Sequence, residues 1–161
     1  MNNLKFHTLI LLCVLFISCA RLNNVREQRE TSTELLKLEK KVHQLVNRYR
    51  VAQNRPPLIT HEVITQQARK HSQSMANNEA PLGHDRFEKR KEIISRVLSF
   101  VATAENVASV QGYSDCAQSV VKIWLEGITH KENIEGNYTL TGIGIAKDAQ
   151  GTYYFTQIFW Q

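Results

Sequence analysis

Residues 140–160 read LTGIGIAKDAQGTYYFTQIFW, and this stretch decides the fold class. Leu140 to Ala146 and Thr152 to Trp160 carry the β-branched and aromatic residues of two strands. Lys147-Asp148-Ala149-Gln150-Gly151 is the turn between them, which makes an antiparallel hairpin. Everything upstream follows a helical period instead. From Thr33 to Gln53, Leu35, Leu38, Val42, Leu45, Val46 and Tyr49 step by three and four along one face, and Arg55-Pro56-Pro57 stops that helix. Thr60 is placed to cap a second helix, with Ile64, Ala68, His71 and Met75 on its apolar face. Asn77-Asn78 and Pro81-Leu82-Gly83 end it in a loop, and a weaker third helix is expected from Arg86 to about Val97. Asp115 with Gln118 three residues on forms a capping box for a helix whose apolar face is Ala117, Val120, Val121, Trp124 and Leu125, closed by Gly127. Helices first and a hairpin last, with no βαβ alternation, give an α+β fold.

The chain has 161 residues, of which 42% are hydrophobic and 22% charged, so it supports one ordinary domain rather than a disordered or low-complexity segment. Its net charge is 20 − 15 = +5, compatible with anionic membranes or wall polymers and equally with solubility alone. No basic stripe interleaved with aromatics appears, which argues against nucleic acid as a partner. Oligomeric state cannot be read from this pattern.

Residues 1–20, MNNLKFHTLILLCVLFISCA, form an export address: Lys5, an apolar run from Leu9 to Ile17, then Ser18 and Ala20 as small residues. The run is shorter than the roughly 20 apolar residues a transmembrane helix needs. Three outcomes stay open: cleavage before Cys19, with that cysteine lipidated and tied to the membrane; ordinary cleavage after Ala20 and soluble secretion; or an uncleaved anchor. The first is the leading expectation, giving residues 1–18 as a lipoprotein-type signal peptide, 19–32 as a polar tether and 33–161 as the folded domain. In either cleaved form Cys116 alone remains in the domain, which therefore has no internal disulfide.

A set of short segments then carries a resemblance: Val46-Asn47-Arg48-Tyr49-Arg50 with Pro57-Leu58, Ala68-Arg69-Lys70-His71-Ser72 with Met75-Ala76, Gly83-His84, Ala104-Glu105-Asn106-Val107-Ala108, Trp124 with His130-Lys131-Glu132-Asn133-Ile134, and the two terminal strands. In this order, over roughly residues 35–160, they resemble the bacterial branch of the CAP superfamily, named for cysteine-rich secretory proteins, antigen 5 and plant pathogenesis-related proteins. The resemblance implies an α-β-α sandwich with a small antiparallel sheet between helical layers, and hence a further strand around Val97–Val107. It also implies a cleft with two His and two acidic residues that in some members binds a divalent metal. Carried over by motif, those residues are His84, Glu105 and His130; the fourth position, three after the Trp, is Gly127 here, and Glu126 falls one residue early.

Two imidazoles and a carboxylate suit zinc or a similar cation, although no cofactor is certain. No Ser-His-Asp or nucleophile-elbow motif is present, and the catalytic residues of any reaction are unknown. The leading function is an exported, lipid-anchored, non-enzymatic binding module whose His/Glu cleft takes a lipid, a peptide or a metal. A metal-dependent hydrolase or peptidase outside the cytoplasm, and a cell-envelope interaction protein with a vestigial cleft, are the alternatives. Among the remaining residues, His71, Trp124, Tyr154, Phe155 and Phe159 read as core, and the mixed-charge run Arg86 to Glu92 as a solvated helix face.

Overall fold

The computed structural model describes residues 25–161 in full and residues 3–24 by their backbone alone. The expected signal peptide (1–18) and the side chain of Cys19 therefore lie outside the fully described residues. Two compact units divide the chain, Met1–Leu36 and Lys37–Gln161. In chain order the elements are α1 (Asn3–Ala52), β1 (Ile59–Thr60), α2 (Glu62–Ala76), α3 (Phe87–Ser95), β2 (Thr103–Val110), α4 (Cys116–Glu126), α5 (Ile128–Glu135), β3 (Leu140–Lys147) and β4 (Tyr153–Trp160). Residues 25–32, within the expected polar tether of 19–32, are helical as part of α1. No Gly or Pro occurs before Pro56 to interrupt a helix, and Arg26 pairs with Glu30 one turn on at 2.9 Å.

The second unit is built on a mixed sheet of order β1-β3-β4-β2. The β3–β4 hairpin is as the sequence predicts, with Lys147 opposite Tyr153 and Asp148 Oδ1 accepting from the Gln150 and Thr152 amides across the turn. The further strand is β2, an antiparallel neighbour of β4 with Glu105 opposite Ile158 and Asn106 opposite Gln157. Two features escaped the sequence reading. Thr60 is no cap but half of a two-residue parallel strand against Leu140 and Thr141, leaving His61 at the N-cap of α2 with no side-chain cap. Directly after Gly127 comes α5, which carries His130 and was not among the helices read from the sequence.

Helices cover both sheet faces. On one face α2 lies almost in contact with β3, because Gly142 and Gly144 present no side chains there. A Cβ added at Gly142 would fall on the backbone of Ile64 and Thr65, and one at Gly144 on that of Ala68 and Arg69. Ser72 Oγ reaches through the same gap to the Gly144 carbonyl (2.8 Å) and Thr156 Oγ1 (2.9 Å). Ile64, Ala68, Ile94, Ile158 and Trp160 form the core of this layer. On the opposite face lie α4 and α5. Their side of the core holds Trp124, fully buried as expected, while Phe155 and Phe159 are fully buried in the sheet. Tyr154, expected in the core, is only half-buried, and its hydroxyl donates to Asp148 at 3.2 Å.

The C-terminal end of α5 is held by Arg50 of α1, which is 1% exposed. Its guanidinium donates to the carbonyls of Pro56 (2.8 Å), Ile134 (2.6 Å), Gly136 (2.9 Å) and Tyr138 (3.2 Å). A cation here satisfies carbonyls that the end of a helix leaves unpaired and complements the negative end of its dipole. Beside it the Tyr49 hydroxyl donates to Glu135 at 2.6 Å, and burial together with that carboxylate pushes the Tyr49 pKa up to about 12.

The glycine contact yields a direct test. Gly144→Ala is expected to lower unfolding stability by about 3 kcal/mol, the upper end for overpacking, because its new methyl meets backbone rather than a side chain that can turn away. Urea denaturation checks it; a midpoint unchanged from wild type would mean that α2 does not sit this close to β3.

Candidate functional site

Strand β2 is at the sheet edge, and successive side chains on a strand face opposite ways. Glu105 therefore projects toward the α2/α3 layer and Asn106 toward the α4/α5 layer. This adjacent pair organises the site from both sides.

On the first side the Glu105 side chain is 1% exposed and receives a fork from Arg90 of α3. Arg90 Nε donates to Oε2 at 2.9 Å and Nη2 to Oε1 at 2.7 Å. Bidentate charge-assisted bonds of this kind are what allow two ions to stay buried together. The other branch of the guanidinium, Nη1, donates to the Asp85 carbonyl at 2.6 Å, and the Phe87 ring lies 5.8 Å from its centre. Arg90 was expected on a solvated face with the rest of Arg86 to Glu92; it is instead 7% exposed. Only the register of a short helix with a weak apolar stripe separates it from its exposed neighbours.

His84 lies in the loop before α3, and its Nδ1 sits 2.9 Å from Glu105 Oε1. With a carboxylate facing Nδ1, the proton belongs there, and Nε2 is the nitrogen left for a ligand. The loop is pinned on both sides of His84. Arg90 holds the Asp85 carbonyl, and His71 of α2 holds the Gly83 carbonyl through Nε2 at 2.7 Å. His71 is 4% exposed and has its partner, as the sequence reading expected of a core histidine. Burial, reinforced by the nearby Arg90, moves its pKa below the ordinary value, so the ring is a neutral donor.

On the second side, Asn106 Nδ2 donates to the His130 carbonyl at 2.9 Å, and Asn133 Nδ2 donates to Asn106 Oδ1 at 2.9 Å. The strand thereby fixes α5, and α5 presents His130. A Cβ at Gly127 would lie 2.9 Å from His130 Nδ1, so the ring occupies the space beside the position where the CAP pattern has its second acid. Burial and the proximity of His84 both move the His130 pKa downward, so this ring too is neutral at pH 7.

His84, Glu105 and His130 line one open cleft of about 580 Å³, together with Glu126, Gly127, Ile128 and Thr129. Glu126, one residue early for the second acid, stands at its rim, two-thirds exposed and 3.7 Å from Lys122. The donor set does not make a three-ligand metal centre. Both Glu105 oxygens are taken by Arg90 and His84, and no cluster of three or more His, Cys, Asp or Glu side chains among the described residues is placed to hold an ion. Glu105 orients His84 rather than competing with it for a cation, the relation carboxylates have to ligating histidines.

An edge-strand Glu-Asn pair that presents one imidazole from each helical layer of an α-β-α sandwich defines the class of molecule. A model of the cysteine-rich secretory protein family, CAP, matches residues 43–159, and the chain belongs to that family. A protein of Bacillus subtilis named YkwD, described as uncharacterized, is 32% identical over 112 residues, covering 66% of this chain and 41% of the relative. The chain thus spans well under half of that relative's length. Among solved structures, an outer surface protein of Borrelia burgdorferi superposes with a TM-score of 0.66 at 21% identity, covering 78% of this chain and 92% of the other. An extracellular protein of Bacillus anthracis containing an SCP domain superposes at 0.64 with 22% identity, covering 83% and 43%. At these identities the likeness establishes the fold. Among the described residues no helix is long and apolar enough to cross a membrane.

The Arg90–Glu105 pair makes a sharp prediction. Arg90→Ala is expected to cost about 3–5 kcal/mol, because it strands a buried carboxylate, whereas replacing both residues with Leu recovers most of that loss. Denaturation midpoints of Arg90→Leu, Glu105→Leu and the double Leu variant, alongside Arg90→Ala, check this; strict additivity of the Leu changes would show that the two groups do not meet.

Proposed function

We propose that the protein is an exported, lipid-anchored binding module of the CAP family, and that its His84/His130 cleft takes a peptide segment without cleaving it. The observation that carries this reading is the engagement of both Glu105 oxygens. A carboxylate neutralised by a buried arginine is a poor general base, and Gly127 supplies no second acid. What remains facing the cleft is a pair of imidazoles, that of His130 held neutral by its burial, with the Thr129 residue beside them. Imidazole nitrogens accept hydrogen bonds from amide N–H groups. A lipid tail asks for an apolar lining, and the only large apolar residue among the seven that line the cleft is Ile128, itself 79% exposed.

The test follows the histidine ring resonances while capped tripeptides of mixed sequence are added, and in a parallel series zinc chloride. Saturable shifts at His84 and His130 with the peptides, lost in the His84→Ala, His130→Ala double variant and unaccompanied by cleavage, are the expected result. Cleavage that disappears in the double variant would replace this reading with the hydrolase. A zinc-dependent rise in melting temperature abolished by the same double variant, with no peptide response, would replace it with a two-imidazole metal site.

Anchoring through Cys19 is supported by the apolar run that ends at Ile17 and by the small residues around the cysteine. Cys19→Ala is expected to move the protein from the membrane fraction to the soluble one on fractionation of the producing cells. Wild-type protein already soluble and beginning at Arg21 would overturn the anchor.

A further inference from the structure

A second cavity, of about 170 Å³, lies between α2 and the start of α3. One of its walls is a single face of α2: Gln67, Lys70, His71 and Ser74, spaced i, i+3, i+4 and i+7. Arg86 and Arg90 of the facing segment help to close it, with Lys89 and the acids Glu79 and Asp85 at its margin.

Most of the charged groups around it are already committed. Arg90 is forked onto Glu105, and Lys89 pairs with Glu92 at 2.9 Å. Glu79 accepts from Asn77 at 3.0 Å, and Asp85 lies 3.5 Å from Arg86 Nε. Gln67 differs. It is 5% exposed, yet its carboxamide has no hydrogen-bond partner among the described residues, and the cavity is the space it borders. Its amide is not among the buried side-chain atoms left without a partner, so it meets the solvent of the cavity rather than dry protein. Lys70, one turn on, likewise makes no ion pair among the described residues. The unspent groups are thus an ammonium, an amide and the Ser74 hydroxyl on one helix face, opposite the guanidinium of Arg86, whose Nε lies 3.5 Å from Asp85 and whose Nη groups make no ion pair among the described residues. All four can donate hydrogen bonds, and two carry positive charge.

We propose that this cavity is an oxyanion site, taking a phosphate or carboxylate group held by Lys70 and Arg86, with Gln67 and Ser74 as neutral donors. Its volume suits such a group, since a liquid water occupies about 30 Å³. The site is separate from the His84 cleft and does not rest on the peptide-binding reading, so either can fail alone.

The experiment uses the full chain, solubilised in non-ionic detergent, titrated with inorganic phosphate and separately with acetate at constant ionic strength set by sodium chloride. Saturable movement of the Gln67 side-chain amide resonances, together with the backbone amides of Ser74 and Arg86, is expected with at least one of the two anions, and the responding arm identifies the group. Lys70→Glu, at an exposed position, is expected to weaken that binding at least tenfold with the melting temperature unchanged. Arg86→Ala is a second variant that removes a donor without touching α2, and it is expected to weaken binding in the same way. Shifts that grow linearly with both anions, a silent Gln67 amide, or unchanged affinity in both variants would overturn the proposal.

Discussion

The close approach of α2 to β3 is the constraint from which the rest of the molecule follows. Helices usually rest on a sheet through a layer of side chains; here Gly142 and Gly144 remove that layer, and the helix backbone takes its place. The approach leaves room for nothing larger than the Ser72 hydroxyl, which spends its hydrogen bonds on Gly144 and Thr156. With α2 at a fixed height and rotation, His71 has one place to be, and it fastens the Gly83 carbonyl there. The position of His84, the next residue, thus traces back to two missing methyl groups on a strand.

The other half of the site depends on alternation along the edge strand. Glu105 and Asn106 are neighbours in sequence but work in different layers, one fixing an imidazole through its ring and the other through its backbone carbonyl. The Arg90–Glu105 pair at the centre of this arrangement is not an economical way to gain stability. Two desolvated ions roughly break even against well-packed apolar residues. The pair gives direction instead, because a fork that accepts only one orientation of the carboxylate also sets the orientation of the ring bonded to it.

What was legible in the sequence was whatever has a period. The hairpin, the apolar faces of α2 and α4 and the Asp115 cap repeat or terminate a pattern, and each is where the pattern placed it, the Asp115 carboxylate accepting from Gln118 N at 3.2 Å. What was not legible depends on contacts distant in sequence. β1 is two residues long and exists through pairing with β3, far shorter than any alternation can reveal. The second helix of the α4–α5 pair has one buried residue, Ile134, and is held by Arg50 and Asn106, neither of which is near it in sequence. Arg90 belongs to a run in which charge of both signs suggests a solvated surface, and only the depth of Glu105 on a separate strand explains why one of those charges is buried. His84, Glu105 and His130 were placed by family resemblance; spacings of 21 and 25 residues carry no geometric information by themselves.

The His84 cleft and the cavity between α2 and α3 are not independent in their walls. His71 and Arg90 line the one between α2 and α3, and the same two residues hold the loop and the carboxylate that orient His84 in the other. An oxyanion near Arg90 competes with Glu105 for the guanidinium's positive potential and, within a few ångströms of His71, favours its protonated form. Protonation leaves the Nε2–H bond to Gly83 in place, because that nitrogen is a donor in both forms, so the loop keeps its geometry while its charge environment changes. Occupation of the rear cavity therefore acts on the cleft through electrostatics rather than through movement. The group it reaches is His84, the imidazole whose ring is oriented by the carboxylate that Arg90 forks.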